Sequence, residues 1–210
     1  MYNCVDKNIF ILFQINDALF PIGAYSHSYG LETYIQKNLV RDVDSAYEYA
    51  SRNNTKGIIK IDNILNNSKS SREVRIASQK LGSRFIKTLI NTDVKYKNDN
   101  FINYVKSSEN SLPTHTVAYG VFCQSIGIPK DKAIEGFLYS YTSQTITNCV
   151  KTIPLSQTDG QRLLYKSYEI FEEILNILPK LTIDDLCLST PGFDIRSMQH
   201  ETLYSRLYMS

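Results

Sequence analysis

Residues 156–180 read "SQTDGQRLLYKSYEIFEEILNILPK", and the spacing of their apolar side chains decides the fold class. Leu164, Tyr168, Phe171, Leu175 and Leu178 recur at steps of four and three, which places them on one face of an α-helix. Thr158 and Gln161 have capping-box spacing at its start, and Pro179, which cannot continue a helix, stops it.

The same grammar repeats along the chain. In 70–90, "SSREVRIASQKLGSRFIKTLI", Ser70 and Glu73 match a capping box, and Val74, Ala77, Leu81, Phe85 and Leu89 form the apolar stripe. In 114–130, "THTVAYGVFCQSIGIPK", Gly127 followed by Pro129 ends one helix and opens the next. That next helix, 129–150, crowds Ser, Thr, Gln and Asn into its second half. If buried, those groups must bond to something, so this half either faces water or joins a polar network. "VDSAYEYASRNN" (43–54) reads as a helix and "IIKIDNILNN" (58–67) as a shorter one. No stretch sustains the two-residue alternation of a strand; "GIIKID" (57–62) comes nearest and is short. The sequence predicts an all-α fold, a single-domain helical bundle over residues 1–210.

Composition excludes several function classes. Of 210 residues, 42% are hydrophobic and 21% charged, with a net charge of +2, too small for a nucleic-acid surface. No apolar run reaches membrane-spanning length, and the first residues lack the basic flank and cleavage site of a signal peptide. The cysteines at 4, 123, 149 and 187 form no Cys-x-x-Cys pair, so they read as reduced thiols of a cytoplasmic protein.

Chemistry-bearing motifs are also missing. "GSRFIKT" (82–88) has a Lys-Thr pair but lacks the second glycine and the spacing of a phosphate loop, and it lies inside a predicted helix. His27, His115 and His200 are scattered, with no metal-ligand spacing. Ser26 and Ser28 flank His27, but sequence neighbours point different ways and rarely form a nucleophile–base pair. "FPIGAYSHSYGLE" (20–32) reads instead as a joint between helices: Pro21 ends one segment, Gly23 frees the backbone, and a serine caps the next helix. Leu31, Tyr34, Ile35 and Leu39 would supply that helix's apolar face, and Gly30 implies close packing.

The C-terminal stretch 194–210, "DIRSMQHETLYSRLYMS", stays apolar and aromatic almost to the last residue, where chain ends usually turn polar. Tyr, Met and Arg are enriched at protein interfaces. Two readings stand: the tail packs on its own core, or it docks on a partner.

Four blocks in order resemble the urease accessory protein UreF family: "FPIGAYSHSYGLE", "HTVAYGVFCQSIGI" (115–128), "AIEGFLYSYTSQTITNCVKTIPLSQTDGQ" (133–161) and "DIRSMQHETLYSRLYMS". The resemblance implies a helical, homodimeric, cytoplasmic maturation factor or chaperone with no catalysis of its own. It would bind UreD (called UreH in some species) and the GTPase UreG, so that the assembly delivers nickel into the urease apoenzyme. No cofactor would be bound tightly, nickel being handled by the complex. By the same resemblance, residues 190–210 form a partner-docking tail that orders on binding, carrying Phe193, Asp194, Ser197, Met198, His200, Tyr204 and Arg206. Pro21, Gly23, Ser26, His27 and Gly30 shape the joint beside it, and Tyr141, Asn148, Lys151, Gln157, Gly160 and Gln161 face partners or the dimer mate. Between Val40 and Ser70 the chain is shorter than the family pattern, as if two helices were merged; a missing helix there would leave its groove partners with exposed apolar surface. The alternatives are a small nickel-binding carrier acting without the GTPase complex, and an ester hydrolase built on Ser26 and His27.

Overall fold

The computed structural model describes residues 7–17, 19–22, 33–108, 112–185, 191–202 and 204, with side chains left undescribed at 33–40, 183 and 191–193. Among the described residues there are helices and turns and no strand. In chain order the helices are α1 (Lys7–Asn16), α2 (Thr33–Ser51), α3 (Thr55–Ser68), α4 (Arg72–Ile90), α5 (Asn100–Ser107), α6 (His115–Ile126), α7 (Lys130–Thr152), α8 (Gln157–Ile177) and α9 (Pro191–His200). Two 3₁₀ turns, Leu178–Lys180 and Ile183–Asp185, lead from α8 toward α9.

The centre of the bundle is α6. Ten of its twelve residues are buried, so it has no solvent face, as a helix apolar on every side requires. Helices α2, α3, α4, α5 and α7 pack around it. Gly120 makes the closest of these contacts possible: a Cβ there would lie 2.6 Å from the carbonyl oxygen of Val43 and 3.1 Å from the Cβ of Ala46. Ala46 and Ala50 on α2 are fully buried, so small residues on both helices let the two backbones approach. At its end, Gly127 adopts φ 77°, the left-handed cap conformation that costs glycine little. Aromatic rings fill the space beside α6: Phe122 meets Phe85 at 5.9 Å and Phe101 at 5.3 Å between centroids, and Tyr119 meets Phe137 at 5.2 Å.

A buried carboxylate ties α3 to the entrance of α6. Asp62 accepts hydrogen bonds from the Tyr104 hydroxyl (2.8 Å), the Thr114 hydroxyl (2.7 Å) and the Thr114 backbone N–H (2.9 Å). Burial raises the Asp62 carboxyl pKa despite these donors, which pull it down.

The predicted α4 stripe holds, with Ala77, Leu81, Phe85 and Leu89 buried and Val74 partly so. Of the predicted α8 stripe, Leu164 and Leu178 are buried, Phe171 and Leu175 partly buried and Tyr168 exposed, while Ile174, outside that stripe, is buried. Both capping boxes sit elsewhere than expected. Helix α8 is capped by Ser156 with Asp159, a stronger pair than Thr158 with Gln161 because the partner is a carboxylate. Helix α4 is capped by Ser71, not Ser70, and Glu73 does not close its box. From 41 to 70 the described side chains leave no large apolar group exposed; the rest of α2 and all of α3 pack on each other and on α6. The start of the following helix, with Leu31, and the joint at 23–32 lie outside the described residues.

Candidate partner-docking site

The C-terminal segment is anchored by charge. Helix α9 packs on α4. At the contact, His200 Nδ1 lies 2.9 Å from Glu73 Oε2. Next along the chain, Glu201 Oε1 accepts from the Ser71 hydroxyl at 3.0 Å and from the Glu73 backbone N–H at 3.2 Å. The first turn of a helix leaves its N–H groups without internal partners and carries partial positive charge. A carboxylate from the far end of the chain thus does for α4 what a local capping residue would do. The Glu73 N–H, then the Ser71 hydroxyl, hold the Glu201 carboxyl below its ordinary range. Asp194, Ser197 and His200 recur at three-residue steps and are half-buried, whereas Ile195 (54% exposed) and Met198 (43%) point outward. Tyr204 is fully exposed. Phe193 lies in the first turn of α9, and Arg206 lies outside the described residues.

Upstream, Asp185 approaches the buried guanidinium of Arg41 at 3.5 Å, pinning the α8–α9 connection to α2. Ser71, Arg41 and Glu201 were not singled out from sequence, and Glu73 only as a local capping residue. Their pairings span 127 to 144 positions, which local periodicity does not register.

Pro21 sits in an exposed turn whose neighbours Phe20 and Ile22 are buried, Phe20 against Phe85 of α4 (5.8 Å). Arg84 Nη1 of α4 reaches the Ile22 carbonyl at 3.5 Å. Tail and joint therefore share α4, but toward opposite ends, about 20 Å apart at 1.5 Å per residue. Gly23, Ser26, His27 and Gly30 lie outside the described residues.

The third predicted group sits on the α7–α8 hairpin. Tyr141 stacks on Phe137 (6.3 Å), Asn148 is buried, and Lys151, Gln157 and Gln161 are exposed. Gly160 lets α8 start against α7, since a Cβ there would come within 2.8 Å of Val150. The polar half of α7 does join a network. Ser140 donates to the Asn16 carbonyl (3.0 Å) and accepts from Gln144 (3.0 Å), and the Thr145 and Thr152 hydroxyls donate to carbonyls one turn back.

Two ionisable groups lie near the α2–α6 core: Asp42, which is buried, and His115, which is partly buried. His115, at the start of α6, has its ring against Phe85 (5.0 Å), and its Nε2 is sealed without a hydrogen-bond partner; burial drops its pKa from 6.5 to about 4. Asp42 is pushed from 3.8 up to about 7 by burial, with Lys69 and Arg41 pulling it partly back. The unfolded chain binds a proton on His115 near 6.5 and the folded one only near 4, so this group removes stability as pH falls through that window. Asp42 acts oppositely: the fold takes up its proton near 7 and the unfolded chain near 3.8, so its contribution is present at low pH and lost as pH rises through 7. Each effect is on the order of 3 kcal/mol. The stability of His115→Phe relative to wild type is therefore expected to improve by about 3 kcal/mol between pH 7 and pH 4 in chemical denaturation. A constant difference would mean that the imidazole titrates as in water.

Among the described residues, no three His, Cys, Asp or Glu side chains converge as metal ligands, and no helix is long and apolar enough to cross a membrane. The Lys-Thr pair of 82–88 lies inside α4, with no loop to hold a phosphate. Burial raises the pKa of the Cys123 thiol, removing it as a nucleophile at neutral pH. What the described residues offer is contact surface, so relatives bear directly on the role.

The UreF family model matches residues 40–168, more than half of the chain. The chain belongs to the UreF family. Among its relatives, the urease accessory protein UreF of Bacillus sp. (strain TB-90) is 31% identical, covering 95% of this chain and 97% of the relative. The proteins of that name from Lachnoclostridium phytofermentans and Ureaplasma parvum serovar 3 are each 30% identical, covering 98% and 97% of this chain and 100% and 97% of theirs. The Bacillus alignment runs over 224 positions against a chain of 210, so that UreF protein carries residues this chain lacks. The family model ends before α9, and the full-length relatives extend the likeness across it.

Proposed function

We propose that this chain is a urease accessory protein: a non-catalytic scaffold that joins UreD/UreH and the GTPase UreG and helps deliver nickel into apo-urease. The observation that carries the reading is near-full-length similarity to proteins named urease accessory protein UreF. The architecture supports it, because α9 turns Ile195 and Met198 outward while its polar residues hold it to α4. Nickel is cargo of the assembly, and the chain works as a cytoplasmic homodimer. Its contribution is to position partners, with α9 and Tyr204 as the docking element.

Capture from a urease-positive cell is expected to recover UreD and UreG with the intact chain. A variant ending at Thr190 is expected to keep nearly all its helical circular dichroism and lose both partners. If it unfolds, the tail belongs to the core; if it still captures both, docking lies elsewhere.

A further inference from the structure

We propose that α9 is a separable strap, closed by a clasp in which Glu201 caps α4 and His200 pairs with Glu73, and that it opens without disturbing the core. Helix α9 has ten residues, too few to hold itself together in water, and two of its apolar side chains, Ile195 and Met198, face away from the protein. Its closure therefore depends on fastening. Among the described residues, polar contacts lie at both ends of the segment: Arg41 with Asp185 before the helix, and Ser71 and Glu73 with His200 and Glu201 at its end.

The two ends differ in character. At the first anchor Arg41 is buried, while its partner Asp185 is 39% exposed and 3.5 Å away. The His200–Glu73 hydrogen bond keeps about a fifth of each side chain in water, where such surface contacts are weakly held. Ser71 itself is buried, and its hydroxyl is aimed at Glu201. Both anchors keep a partner in water, so neither locks the segment to the core. Release would uncover the first turn of α4, while α4 stays held through Ala77, Leu81, Phe85 and Leu89. The strap does not depend on the urease reading, and it is tested on the isolated full-length chain.

Hydrogen–deuterium exchange with mass spectrometry reads each segment separately. Glu201→Ala is expected to speed exchange in residues 191–200 at least about tenfold, with α5, α6 and the second half of α4 keeping wild-type protection. Glu201→Gln, whose amide oxygen still accepts hydrogen bonds, is expected to give a smaller rise. Ser71→Ala, which removes the buried donor to Glu201, is expected to loosen the same peptide and serves if Glu201→Ala does not fold. Arg196→Ala, on the exposed side of α9, is expected to change nothing. Equal exchange of 191–200 in wild type and in the clasp variants would overturn the proposal. So would loss of protection in α9 and α6 together, which would make the segment part of the global core.

Discussion

Asp62→Ala lowers the unfolding free energy by about 3–5 kcal/mol, read as a fall in the urea midpoint at unchanged slope. The substitution strands the Tyr104 hydroxyl, the Thr114 hydroxyl and the Thr114 N–H in a site that is only 2% exposed. A buried donor left without its acceptor costs about 1–3 kcal/mol, and three are stranded at once. Thr114 is the residue on which α6 begins, so the loss is felt where the central helix enters the bundle. Asp62→Asn is the informative companion. Its amide oxygen can still accept from Thr114, and its NH₂ can donate to the Tyr104 oxygen, so the expected cost is about 1–2 kcal/mol. Equal losses in the two variants would show that volume, not hydrogen bonding, sets the value of this position.

The second large effect is expected at Gly120. Alanine there gains about 1 kcal/mol of helix propensity over glycine. Against that gain stands a Cβ only 2.6 Å from the Val43 carbonyl, a contact that flexible side chains cannot relieve because the obstacle is backbone. Gly120→Ala is expected to lose about 1–2 kcal/mol net, and Gly120→Val about 3 kcal/mol or more, as α2 is levered off α6. Thermal melts would show the series directly, since each kcal/mol moves the midpoint by about 2–4 °C at this size. A stabilised Gly120→Ala would mean that the two helices have slack between them.

The helices were legible because their apolar residues keep a 3.6-residue period, as Ala77, Leu81, Phe85 and Leu89 do on α4. The stop at Gly127 was legible for a different reason, the glycine–proline spacing that the turn itself needs. Caps were less so. Ser70 and Ser71 offer equal local chemistry; Ser71 is the cap, and its hydroxyl also bonds Glu201, 130 residues away. Around the candidate site, the sequence marked Met198 and Tyr204 as interface types, and both are exposed. It marked His200 for the same surface, where the structure turns the imidazole inward onto Glu73. Arg41 and Asp42 are consecutive charges on an amphipathic helix, a pattern that normally marks a solvated face; here both are buried beneath later parts of the chain.

The long reach from Ser71 to Glu201 also bears on biosynthesis. A ribosome adding about 5–20 residues per second releases the α4 segment many seconds before the glutamate that completes it has been made. Until then the helix start has only its local cap, Ser71, and stays open to water. A nascent or prematurely terminated polypeptide would carry that unfinished end as a mark of its incompleteness.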